Sequence, residues 1–130
     1  NSSNAPLQLL DNVGTILWGI DGDWDVRCIP PQMPFYPTDH CGTLRVQATD
    51  VNARYLAFAL HAEGERRRFT RTNRPSLDRV RALRLELPPK QQQDVFVNEV
   101  ERMESQIAKL EEKRKMLEGK KQGILKKYLL

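Results

Sequence analysis

Beyond Pro89 the sequence stops punctuating itself. Residues 90–128 hold no proline and only two glycines, Gly119 and Gly123, whereas Pro88 and Pro89 stand side by side just before them. Pro88 pushes Leu87 out of helical geometry, and Pro89 does the same to Pro88. Pro89 also suits the start of a helix, where its missing N–H is no loss. The pair therefore reads as a stop followed by a start, with one helix from about Lys90 to Tyr128.

That helix carries a seam. Phe96, Val100, Met103, Ile107, Leu110, Arg114, Leu117, Lys121, Ile124 and Tyr128 follow one another in alternating steps of four and three, the spacing of a heptad repeat. At about 1.5 Å per residue the run reaches roughly 55–60 Å. A globule built from the preceding residues would be about 25–30 Å across. Such a globule cannot cover the stripe, so a partner is expected there. Each glycine costs about 1 kcal/mol relative to Ala, which a covered seam offsets. Arg114 and Lys121 sit in the seam with stems that pack and charges that reach outwards. One flank, Glu99, Gln106, Lys113 and Lys120, is acidic early and basic late, which favours antiparallel pairing. The other flank, Glu104, Glu111 and Glu118, gains nothing from it.

The residues before the prolines read as a small mixed α/β head. Three strands are expected, over 14–20, 24–29 and 41–47. In the second, Trp24, Val26 and Cys28 alternate with Asp25 and Arg27. In the third, Leu44 and Val46 oppose Thr43, Arg45 and Gln47. Residues 30–39 hold four prolines and read as an ordered loop. A helix follows, capped by Asp50 or Asn52. Val51, Tyr55, Phe58, Leu60 and the alanines form its apolar side, and Gly64 is expected to end it. Ser76 caps one short turn. Residues 83–87 are expected as a last short strand, with Leu83, Leu85 and Leu87 on one face. The fold class is thus α+β, a head over 1–88 and a long coiled-coil helix over 89–130.

Charge is distributed unevenly. Residues 1–60 carry three Arg against six Asp, and residues 61–89 carry eight Arg against four acids. No lysine precedes Lys90. An anionic partner is therefore sought in the arginine-rich middle. No apolar stretch is long enough to span a membrane, and the start lacks a basic leader, so a cytoplasmic protein with Cys28 and Cys41 reduced is expected.

Catalytic and metal chemistry is not expected. Asp21, Asp23 and Asp25 have the first spacings of a calcium loop, but its sixth and twelfth positions would be Val26 and Gln32. Cys28, His40, Cys41 and His61 lack structural-zinc spacing. Asp39 and His40 read as a polar turn. A Cys41–His61 dyad for a minimal hydrolase is the weakest alternative. No cofactor is expected.

Taken in order, "FYPTDHCGTLRV" (35–46), "YLAFAL" (55–60), "TNRPSLDRVRALRLELPPKQQQ" (72–93) and the basic "KKQGILKKYLL" (120–130) resemble the specificity subunits of type I restriction–modification systems. The resemblance lies in the order of the parts over nearly the whole chain. The chain departs from the family in carrying Gln91-Gln92-Gln93 where Glu usually precedes Gln, and in its short head. Residues 1–88 would then be a partial target-recognition domain and 89–130 its spacer helix. The resemblance implies a non-catalytic protein that reads double-stranded DNA. Its helix would dock methyltransferase subunits. It would pair, antiparallel, with a second copy or a second specificity half. Arg66, Arg67, Arg68, Arg71 and Arg74 are the candidate DNA contacts, with Tyr36, Thr38 and Asn73 as polar helpers, because guanidinium groups match phosphate and guanine edges. The contrasting expectation is that these arginines pair with Glu63, Glu65 and Asp78. The runner-up function is a coiled-coil adaptor whose head binds protein.

Overall fold

The computed structural model describes residues 14–20, 22–31 and 41–130. Tyr36, Thr38, Asp21, Asp39, His40 and most of the proline-rich loop lie outside the described residues. The chain is α+β. Its elements in order are β1 (Thr15–Gly19), β2 (Val26–Ile29), β3 (Cys41–Arg45), α1 (Ala53–Arg66), α2 (Leu77–Arg81) and α3 (Lys90–Leu129). It divides into two compact units, Asn1–Asp94 and Val95–Leu130.

In the first unit β1 is the central strand of an antiparallel sheet ordered β2-β1-β3. Ile16 pairs with Cys28 and Leu44, and Trp18 pairs with Val26 and Gly42. Directly paired residues share a face, so Ile16, Trp18, Val26, Cys28, Gly42 and Leu44 point one way. That face carries the core: Ile16 and Trp18 are buried together with Ala57 and Leu60 of α1, Phe69 and Val80 of α2. Cys41 pairs with Gly19, which places it on the opposite face and on the far side of β1 from Cys28. Neither Cys28 nor Cys41 is in a disulfide. Burial pushes the Cys28 thiol up, against the opposing pull of Arg54.

Two tryptophans set the spacing of the head. The Trp18 indole N–H donates to the carbonyl of Pro75 at 3.1 Å. A Cβ on Gly42 would overlap this indole, so the cross-strand neighbour is glycine by necessity. Trp24 donates to the carbonyl of His61 at 2.8 Å and lies against α1 at Gly64, where a Cβ would overlap its ring.

Gly64 therefore does not end α1, contrary to the sequence expectation. It is a buried packing position, and the helix runs two residues further to Arg66. Helix-stopping geometry falls instead on Arg68, at φ 58°. Phe69 N–H donates to the Gly64 carbonyl and Arg68 N–H to the Glu65 carbonyl, both at 3.0 Å. That is a left-handed helix ending with arginine where glycine is usual. At the other end Asn52 is the cap: its side-chain oxygen accepts from the N–H groups of Arg54 and Tyr55.

Residues 83–87 are not a strand, which corrects the sequence expectation. Leu83 and Leu85 do turn towards the core. The Leu83 N–H, however, is spent on the Val80 carbonyl that closes α2. The side-chain alternation of a strand is present without the ladder.

Helix α3 begins where the prolines predict. Gln93 is buried in its first turn: its Oε1 accepts from the Asn52 N–H at 2.9 Å, and its amide donates to the Pro88 carbonyl at 2.8 Å. Asn52 donates to Asp94 at 2.9 Å, and Lys90 pairs with Asp94 at 3.0 Å. These bonds hold the Asp94 carboxyl below the usual carboxylate range, the Asn52 bond contributing most. The cap of α1 and the start of α3 are thus one hydrogen-bonded cluster. From there α3 is continuous through Gly119 and Gly123.

Candidate nucleic-acid interface

The stretch from Glu63 to Arg81 carries seven arginines against three acids. Its backbone is shaped from within. Phe69 is buried and serves as the anchor, edge-on to Trp24 at 5.2 Å, with the Arg79 guanidinium stacked 4.9 Å from its ring. Asn73 is the organiser of the turn. Its amide donates to the carbonyls of Arg67 and Arg68, and its oxygen accepts from Arg79 at 2.7 Å. The Thr70 hydroxyl accepts the Asn73 N–H at 3.0 Å, and the Thr70 N–H donates to the Asn73 carbonyl. Arg79 also donates to the Arg74 carbonyl. With φ/ψ fixed this way, little conformational freedom remains to be lost when a ligand docks.

The candidate arginines divide by their partners. Arg66 and Arg67 share Glu63, at 3.0 and 3.4 Å. Arg71 reaches Asp23 at 3.0 Å, across the head from another segment. Arg74 donates to the Arg71 carbonyl. Arg68 is exposed in its left-handed position. The Glu63 side chain is only 14% exposed beneath its two arginines, whereas the Arg71–Asp23 pair is solvent-facing, with side chains 70% and 84% exposed. Such pairs are worth at most about 1 kcal/mol, and a phosphate can displace the carboxylate. Of the carboxylates anticipated as partners, Glu63 takes two arginines, while Glu65 holds His61 Nε2 at 2.8 Å.

Thus the structure brings Arg66, Arg67, Arg68, Arg71 and Arg74 into one loop and its flanking helix end. Asn73 belongs to the frame of that loop. Two contributors escaped sequence reasoning. Arg79 is set by its place three residues after the Ser76 cap, and Asp23 is set by a turn remote in sequence. Only the Ser76 spacing was a usable signal.

Hydrolase geometry is not assembled: Cys41 lies on the sheet face away from α1, while His61 of α1 is engaged with Glu65. Among the described residues, no three His, Cys, Asp or Glu side chains come together as a metal site. Asp25 is paired with Arg27 at 3.1 Å.

In the second unit the seam of α3 faces solvent. Met103, Ile107, Leu110, Leu117, Ile124 and Tyr128 are exposed, Ile107 at 54% and Leu110 at 66%. Arg114 and Lys121 are exposed too, Phe96 is 41% exposed, and Val100 is half-buried. A straight helix turns such a stripe by about 20° per heptad. Among the described residues, no helix is long and apolar enough to cross a membrane. No protein-family model, curated protein or solved structure matches the chain.

Proposed function

We propose that this chain is a DNA-recognition component of a type I restriction–modification enzyme. It catalyses nothing itself. The arginine loop contacts double-stranded DNA, and α3 spaces the halves of a split site while docking methyltransferase subunits. It works in the cytoplasm and takes no cofactor. The observation that carries the reading is the join. A head with an internally braced arginine loop passes through Leu87-Pro88-Pro89 into a helix whose apolar seam is uncovered. Those are the parts, in order, that the sequence resemblance requires.

The test combines salt and self-association. Phosphate-dominated binding weakens steeply as salt rises. Duplex DNA of mixed sequence should be retained at low salt and released at moderate salt. Ile107→Asp with Leu110→Asp should yield monomers in sedimentation. Absence of any DNA affinity at low salt sinks the DNA reading.

A second reading follows from the ion pairs. Arg66, Arg67 and Arg71 already face carboxylates, which dilutes the positive field and suits a head that binds protein rather than DNA. An adaptor of that kind shows no DNA affinity at any salt.

A further inference from the structure

We propose that the cleft at the end of the sheet where α1 begins binds a small organic monocarboxylate, its charge held by Arg54 and Lys90 and its apolar body by the walls. The inference goes beyond DNA recognition and is independent of it. The cleft lies wholly within the first unit and has a volume of about 790 Å³. That is a usual size for a small-molecule site. Cys28 of β2, Pro31 beyond it, Val46 just past β3 and Val51 ahead of α1 form its walls. Arg54 enters from the first turn of α1, and Lys90 is the first residue of α3. Among the described residues, no acidic side chain lines the cleft.

The sign of the ligand follows from how charge is gathered there. A helix N-terminus is partially positive, so its first turn favours acidic side chains and disfavours basic ones. Helix α2 obeys, with Asp78 in its first turn and Arg79 and Arg81 in its last. Helices α1 and α3 have no acidic residue in the first turn, and each sets a cation there instead. Both cations line the same cleft. Local rules are broken together mainly at functional sites. The field of Arg54 enters the cleft: burial raises the Cys28 thiol, and the Arg54 charge pulls it the other way. Lys90 already donates to Asp94 at 3.0 Å, so a doubly charged ligand would be undercompensated. An ion with no apolar body would leave Pro31, Val46 and Val51 wet. A carboxylate on an aromatic or branched body satisfies both demands, and the guanidinium fork matches it. Asn52 sets the geometry in advance. Its oxygen accepts from the Arg54 N–H at 3.0 Å, and its amide donates to Asp94 at 2.9 Å. The backbone beneath one cation and the partner of the other are thus fixed before a ligand arrives.

The probe is benzoate, with benzamide as its neutral counterpart and inorganic phosphate as an anion without an apolar body. The full chain is alkylated with iodoacetamide, and both cysteine peptides are followed by mass spectrometry. Cys41, on the opposite face of the sheet, is the internal control. Benzoate at about 10 mM should slow alkylation of Cys28 about threefold or more, the factor 1 + [L]/Kd of a millimolar site. Cys41 should be unaffected. Benzoate should also raise the melting temperature, and that rise decides the matter should Cys28 be inert to the reagent. Arg54→Gln should abolish both effects and leave the ligand-free chain no less stable, because it removes a cation from the positive end of α1. Equal effects from benzamide or phosphate overturn the proposal. So does an absence of protection and of any rise in melting temperature, and so do benzoate effects that survive in Arg54→Gln.

Discussion

The Trp18 indole donates to the carbonyl oxygen of Pro75 at 3.1 Å, tying the central strand to the end of the arginine loop. Both residues are buried, so the bond has no water to fall back on. Trp18→Phe keeps most of the apolar contact and orphans the Pro75 carbonyl. The expected loss is about 1–3 kcal/mol. Urea unfolding should show a lower midpoint at an unchanged slope.

Gly64→Ala sets two effects against each other. Alanine gains about 1 kcal/mol of helix propensity. The added Cβ meets the Trp24 indole in a filled space, and overpacking costs about 1–3 kcal/mol. Overlap this direct places the cost at the upper end, so the variant should be less stable than the parent. A raised melting temperature would contradict the packing described for Trp24.

Arg68→Gly should have the opposite sign. The left-handed conformation costs an L-residue roughly 1–2 kcal/mol and glycine little. Its own flexibility in the unfolded chain returns part of that gain. A modest increase in stability is expected, accompanied by weaker DNA retention if the loop is the contact surface.

Asn73→Ala and Arg71→Ala separate framework from contact. Asn73 holds three partners within the loop, so its loss should destabilise the head and change DNA retention only through loop geometry. Arg71→Ala should leave stability nearly unchanged and lower the slope of log affinity against log salt by about 0.9. Unfolding curves and salt titrations on both variants check the division.

Asp94 gives a pH signature. Its carboxyl is held low, first by the Asn52 side chain and then by Lys90. A depressed value means stability is present above the unfolded value, near pH 4. It is lost as pH falls through the lower folded value. Asp94→Asn should therefore be the less stable form at neutral pH, and the gap should close in acid. Urea midpoints across the acid range measure it.

Much of this was written locally in the sequence. The proline pair and the four-three spacing placed α3 almost to the residue. Asn52 and Ser76 announced their helices because a cap acts on neighbours two or three positions away. What escaped depends on distant neighbours. Gly64 looked like a terminator until the Trp24 ring occupied the missing Cβ, and residues 83–87 look like a strand to any rule that sees only alternation. Of three successive glutamines only Gln93 is buried, a choice made by Asn52 some forty positions earlier. The arginine cluster was visible as composition. That Asn73 braces the loop was not, since its three partners belong to Arg67, Arg68 and Arg79.

Gly119 and Gly123 leave one side of the last turns of α3 bare of bulk. A lone strand of this rod would come apart from that end first, and its amide hydrogens there would be the quickest to exchange with deuterium. Were a second copy to cover the seam as proposed, exchange there would slow, and its rate would gauge how much of the population is engaged.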